Sequence, residues 1–144
     1  MTLNINGIES SPRLRMLDDF LHRHDVDITL LQEVTNGDRL VVKAVNPSLM
    51  SAHWGGGTAI LHTLHLQLHK LKRIPTVRGI AAYLGNICLV NIYAPSGTAS
   101  RTDRQDFFNT DVVELIPQGT TQLILGTSTV FFQKKTVQIV VPAA

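Results

Sequence analysis

A single cysteine, Cys88, among 144 residues excludes an intramolecular disulfide and leaves no cysteine set for a zinc ribbon or finger. A reducing compartment is the simplest reading. No stretch approaches the ~20 apolar residues of a membrane span. The opening segment, MTLNINGIESSPR, has neither the basic start nor the apolar run of a secretory signal, so the expectation is a soluble intracellular chain. Charge of one sign is scarce too. Thirteen Lys and Arg against eleven Asp and Glu give +2, and the pI is near 8.9, a bias that permits a nucleic-acid partner without demanding one. Low-complexity tracts and internal repeats are absent. What is present is an ordinary globular composition, 44% hydrophobic and 17% charged, at a length that suits one domain with a sizeable core.

Leu3, Ile5 and Ile8 alternate with Asn4 and Asn6 and stop near Gly7, which predicts a short strand. Ser10 or Ser11 can cap the next element, and Pro12 suits a first helical turn. Leu14, Leu17, Phe20 and Leu21 then recur at helical spacing, so a helix is expected over about 12–24. Ile28 to Leu31 is a short apolar run typical of a buried strand, ending at Gln32 and Glu33. Strand, helix, strand implies a parallel pair with a right-handed crossover, whose carboxyl ends share one edge. Asn4 and Glu33 are therefore placed to meet. Val41, Val42 and Val45 suggest a further strand. Gly55-Gly56-Gly57 leads into a strand from Thr58, and alternating Leu64, Leu66 and Leu68 suggest a half-exposed one with a basic exit. Gly85-Asn86 between two apolar runs is the best hairpin signal. Phe107, Phe108, Val112 and Leu115 space as a helix within 100–115, Gln122 to Leu125 reads as a strand, and the tail is β-prone. The sum is an α/β (α+β) chain of short strands and two helices.

Several residues invite functional readings. His62, His65 and His69 suggest zinc, but on a strand His65 and His69 stand about 13 Å apart, too far to share an ion. Lys70, Lys72, Arg73 and Arg78 are candidates for phosphate contacts, and a solvated loop explains them equally well. The three glycines lack the Lys-Ser or Lys-Thr of a nucleotide P-loop. Cys88, inside an apolar strand, reads as buried and inert.

Three segments carry a resemblance: TLNINGI at 2–8, LLQEV at 30–34 and LVNIYAPSG at 89–97. With GGGTAIL at 55–61 and the stretch 101–108, in the same order, they resemble the endonuclease domain of LINE-type (non-LTR) retrotransposons. That domain lies within the endonuclease/exonuclease/phosphatase superfamily of DNase I and the apurinic/apyrimidinic endonucleases. The resemblance implies a DNase I-like β-sandwich flanked by helices, of which 1–126 is the N-terminal part and 127–144 a divergent tail. It implies nicking of DNA with Mg²⁺ or Mn²⁺, and a nuclear location. By matching position Asn4 and Glu33 would serve the metal and phosphate, and Tyr93 would place its hydroxyl on the scissile phosphate. A hard dication held by few carboxylates, keeping waters and bridging to phosphate, is chemically consistent with that set.

The sequence also departs from the family. Where the family continues Asp-Phe-Asn after the LILG strand, Thr127-Ser128-Thr129 stand here, and a threonine hydroxyl does not serve as a general base near pH 7. The family's second half, with its terminal Ser-Asp-His, is expected to be missing after Ala144. These departures predict a truncated endonuclease-like domain that nicks poorly, with a non-catalytic nucleic-acid-binding or partner-binding remnant as the alternative. A gene fragment without selected function is a third reading. Half a sandwich is also expected to leave an inner sheet face uncovered, which favours self-association, unless the tail covers part of it.

Overall fold

A computed structural model of the chain describes residues 1–5, 7, 11–34, 50–54, 56–76, 78–95, 97–120, 122–128 and 137–140. The strand expected around Val41 to Val45 lies outside them, as do Asn6, Ile8 and Thr129.

Strand β1 (Thr2–Asn4) runs parallel to β2 (Ile28–Gln32), with Leu3 opposite Leu31, and helix α1 (Ser11–Arg23) makes the crossover. His22 and Arg23 occupy the last turn of α1, where cations favour the helix dipole. Next along the chain come β3 (Met50–Trp54) and β4 (Thr58–Thr63), and the first sheet has the order β1-β2-β4-β3. The second sheet contains β5 (His69–Arg73), β6 (Gly79–Leu84), β7 (Ile87–Tyr93), β8 (Gln122–Ser128) and β9 (Val137–Val140), in chain order across the sheet. Strands β6 and β7 form the expected hairpin around Gly85-Asn86, with φ of 57° at Gly85 supplying the left-handed turn conformation. Between β7 and β8, α2 (Arg101–Asp106) passes through a π-helical stretch at Phe107–Val112 into α3 (Val113–Leu115). A capping box opens α2: Ser100 Oγ accepts from the Asp103 amide at 3.0 Å, and Asp103 Oδ2 accepts from the Ser100 amide at 2.9 Å.

Strand alternation assigns the core to three layers. Leu30 and Ile60 of the first sheet pack against Ile80, Ala82 and Leu89 of the second, sealing the sandwich centre. Leu31, Ala59 and Leu61 point the other way, under Leu21 and Leu17 of α1. On the far side, Ala81, Val90 and Ile92 lie beneath Phe107, Val112 and Leu115 of the second helical region. The chain is thus a mixed α+β molecule of two packed sheets flanked by helices.

Two expectations need correction. No strand spans Leu64 to Leu68: Leu64 and His65 form a turn in which the Leu66 amide donates to the Thr63 carbonyl at 3.2 Å, and β5 begins at His69. Leu64 stays 53% exposed, so its alternation with His65 marks no buried face. The inner sheet faces, expected to be bare, cover one another, because strands of both sheets lie within the chain. Correspondingly, Val137–Val140 of the tail continues a sheet at its edge, antiparallel to β8, and does not lie across a face.

Candidate active site

The carboxyl end of β1, the end of β2 and the end of β7 meet on one rim of the sandwich. Asn4 closes β1, Glu33 follows β2, and Asn4 Nδ2 donates to Glu33 Oε1 at 2.9 Å. Glu33 is held in a conformation that side chains avoid, with φ of 57°. Three backbone bonds pin it there: the Gly7 amide donates to the Glu33 carbonyl at 2.8 Å, the Ile5 amide to Gln32 at 3.1 Å, and the Val34 amide to Gly57 at 3.1 Å. Strain of this kind persists only where the surroundings over-determine it, and it gathers at functional sites.

Tyr93 ends β7 on the face it shares with Leu89 and Asn91, towards the first sheet. Arg78 lies over its ring, 5.2 Å from the centroid, and donates to its carbonyl at 3.4 Å. Strand β8 runs parallel beside β7, and the register sets Thr127 opposite Ile92 and Ser128 opposite Tyr93. Position 127 therefore lies along the same rim, and β1 and β2 both pack against β8.

Beneath the rim is a polar tie that sequence reading did not single out. Gln32 Nε2 donates to Asn91 Oδ1 at 2.6 Å, and Asn91 Nδ2 donates to the carbonyls of Leu31 and Ala59 at 2.7 and 2.8 Å. Gln32 Nε2 also donates to Thr2 Oγ1 at 2.9 Å. The available signal was a polar residue on the inward position of an otherwise apolar run, Leu89 to Ile92.

The basic residues do not assemble. Lys72 bonds the Glu114 carbonyl at 2.6 Å and lies 3.8 Å from its carboxylate, Lys70 sits 5.5 Å from the Tyr83 ring centroid, and only Arg78 joins the rim through Tyr93. Nor do the three histidines named from sequence. His65 lies 3.6 Å from Asp27, His69 stacks on Tyr83, and His62 meets His53 of β3, their Nε2 atoms 2.9 Å apart. Among the described residues, no three His, Cys, Asp or Glu side chains gather as a metal site. Cys88 is buried, and burial pushes its thiol above the ordinary range.

A strained, half-buried glutamate braced by an asparagine at the end of parallel strands supplies hard oxygen donors, the kind that suit a divalent cation of the Mg²⁺ type. Residues 1–126 match the Endonuclease/Exonuclease/phosphatase family. The chain belongs to this family. Its members generally depend on a divalent metal. The fold is similar to TDP2 from C. elegans, at 22% identity and a TM-score of 0.63 over 88% of this chain and 45% of that one. It is also similar to the 3′ phosphatase NExo from Neisseria bound to a product DNA hairpin, at 23% identity and a TM-score of 0.70 over 88% of this chain and 55% of that one. An AP endonuclease from Archaeoglobus fulgidus gives 17% identity and a TM-score of 0.61, over 88% of this chain and 55% of that one. The family member described here spans about half the length of these solved structures. No curated protein matches its sequence. No helix among its described residues is long and apolar enough to cross a membrane.

Proposed function

We propose that this family member is a degenerate DNA phosphodiesterase domain of the nicking, retrotransposon type. Its cation- and phosphate-holding groups persist, and the group that activates water is gone. The observation that carries the reading is the 2.9 Å bond from Asn4 to Glu33, with Glu33 locked at φ of 57° on the rim that also holds Tyr93. Glu33 Oε1 is engaged by Asn4, and a Mg²⁺ or Mn²⁺ ion would be held by the carboxylate and the scissile phosphate, keeping waters elsewhere. Bound there, the ion would supply polarisation of the phosphoryl oxygens and neutralisation of developing charge. Asn4 orients the carboxylate, and Tyr93, clamped by Arg78, offers its hydroxyl to phosphate.

Impairment rests on Thr127 and Thr129, which occupy the positions of the family's Asp and Asn. A positioned general base is worth ~10² to 10⁴ in rate, and threonine does not replace it. Binding of DNA without efficient cleavage, in the nucleus, is the behaviour this predicts. The test is supercoiled plasmid incubated with Mg²⁺, Mn²⁺ or EDTA, beside a Glu33→Ala control, with DNA binding followed in parallel against salt. Binding in the absence of nicking above the control is the expected result. Vigorous metal-dependent nicking that disappears in Glu33→Ala would show that another group replaces the base.

A further inference from the structure

At the end of the first sheet away from the rim, β3 and β4 bring two imidazoles together. His62 stands opposite Ile28, the first residue of β2, whereas Glu33 follows the last, so the length of a strand separates the two positions. Alternation sets His62 on the same face as Ile60, and His53 of β3 lies directly opposite Ile60. His53 and His62 are therefore diagonal neighbours across one antiparallel ladder, both on the face towards the second sheet. Their Nε2 atoms face each other at 2.9 Å, with ring planes 9° apart. His62 Nδ1 lies 2.9 Å from the Thr63 carbonyl, which only accepts, so the His62 proton sits on Nδ1 and the Nε2 lone pair points at His53. Histidines that ligate a metal are characteristically oriented in this way, the other ring nitrogen donating to a backbone carbonyl. His62 is 6% exposed and His53 is half-buried. His53 is also kept uncharged near neutral pH. Burial first, then the repulsion a charged His62 ring would add and that of Arg73, hold it below its ordinary value.

We propose that His53 and His62 form a two-imidazole site for a borderline divalent cation of the Zn²⁺ type, separate from the hard-cation position at Glu33. The spacing is close to what such an ion needs. Imidazole nitrogens ~2.0–2.1 Å from a tetrahedral ion stand ~3.3 Å apart, so the rings part by ~0.4 Å from 2.9 Å and tilt towards a common point. The proton between the rings has a place to go. As the ion takes the His53 Nε2 lone pair, that proton passes to His53 Nδ1, both rings stay neutral and no net proton is released. Two nitrogens without a carboxylate disfavour Mg²⁺ and Ca²⁺, which take oxygen ligands, and suit Zn²⁺. Among the described residues no third His, Cys, Asp or Glu joins the pair, so water fills the remaining positions and the affinity falls below that of a four-ligand structural site. An ion held by both rings cross-links β3 to β4. The inference does not depend on the nuclease reading, since Asn4, Glu33 and Tyr93 take no part in it.

Isothermal titration of the metal-free full chain with Zn²⁺ tests it, with circular dichroism confirming that each variant is folded. The wild type is expected to bind Zn²⁺, and His53→Gln and His62→Gln each to weaken that binding at least ~10-fold. His65→Gln, at an exposed histidine outside the pair, is expected to leave it unchanged. Zn²⁺ should also raise the thermal midpoint of the wild type and not that of the two pair variants. His53→Gln, at the half-buried position, decides the matter if His62→Gln does not fold. A wild-type chain that binds no Zn²⁺ overturns the proposal. So does binding that survives His53→Gln, or a loss as large in His65→Gln as in His53→Gln, which would assign the ion to surface histidines.

Discussion

Gln32 and Asn91 come from opposite sheets, and Gln32 Nε2 donates to Asn91 Oδ1 at 2.6 Å where the two residues are 1% and 0% exposed. The tie fixes the end of β2 against β7, one residue before Glu33 and two before Tyr93. It therefore sets how the rim's two halves face each other. Removing one partner leaves buried polar groups without a bond, and such a group costs ~1–3 kcal/mol. Asn91→Ala is expected to lower stability by ~2–4 kcal/mol in urea unfolding, because Gln32 Nε2 loses its shortest bond, the Leu31 and Ala59 carbonyls lose their side-chain donor and a cavity opens. A double-mutant cycle with Gln32→Ala should return coupling above ~0.5 kcal/mol. Additive losses would show that the two side chains act independently.

The backbone strain at Glu33 can be separated from its carboxylate. A left-handed residue with a Cβ costs ~1–2 kcal/mol, and glycine escapes most of that while giving back some of it in chain entropy. Glu33→Gly should be more stable than Glu33→Ala by ~1 kcal/mol, although neither has a carboxylate. Thermal unfolding of the pair decides it, and an alanine variant as stable as the glycine one would place the strain elsewhere.

Much of this architecture is legible from local pattern. The β1-α1-β2 unit, the Gly85-Asn86 hairpin and the helical region from Arg101 follow from periodicity and turn chemistry, because each buries a face whose spacing is visible in sequence. The Asn4–Glu33 meeting follows from the parallel crossover alone. What escaped depends on long-range partners. Strand β3, Met50–Trp54, is stabilised by its ladder with β4 and has no strong alternation of its own. The apparent strand at Leu64 to Leu68 shows the opposite case, a local pattern that no sheet accepts. Gln32 and Asn91 lie 59 residues apart, and Arg78 reaches Tyr93 only once β6 and β7 are paired.

His53 and His62 give a stability prediction in pH. The Nε2 atoms are 2.9 Å apart and the ring planes differ by only 9°, with centroids 5.1 Å apart, so the rings lie nearly end to end. His62 Nδ1 faces the Thr63 carbonyl at 2.9 Å, which can only accept, so His62 carries its proton on Nδ1 and its Nε2 accepts from His53. The pair is neutral in this arrangement. Burial first, then the repulsion a second charged ring at His62 would add and that of Arg73, hold His53 below its ordinary value. The unfolded chain therefore binds more protons in mild acid. The contribution of His53 is complete above about pH 6.5 and is lost as pH falls below that value towards the lowered folded one. Urea unfolding at pH 7.5 and pH 5.5 should show a loss in the wild type that shrinks in His53→Gln. An undiminished pH dependence in that variant would assign the effect to other groups.

The strongest test of the proposed degeneracy is to install the groups that the family motif carries. Thr127 stands opposite Ile92 in a parallel register that leads to the Tyr93 end of β7, so its position along the rim is set by backbone pairing. An aspartate there would supply a carboxylate able to take a proton from water, and an asparagine at 129 would supply an amide for phosphate, the two groups the family motif carries. A base alone is worth ~10² or more, and the two together act as a unit whose effects do not simply add. Thr127→Asp with Thr129→Asn is therefore expected to raise Mg²⁺-dependent plasmid nicking by at least ~10²-fold over the wild type, and Glu33→Ala in that background to abolish the gain. If the restored chain binds DNA, stays folded and still does not nick, the defect lies beyond positions 127 and 129. The rim would then be a binding surface whose Asn4–Glu33 bond serves structure.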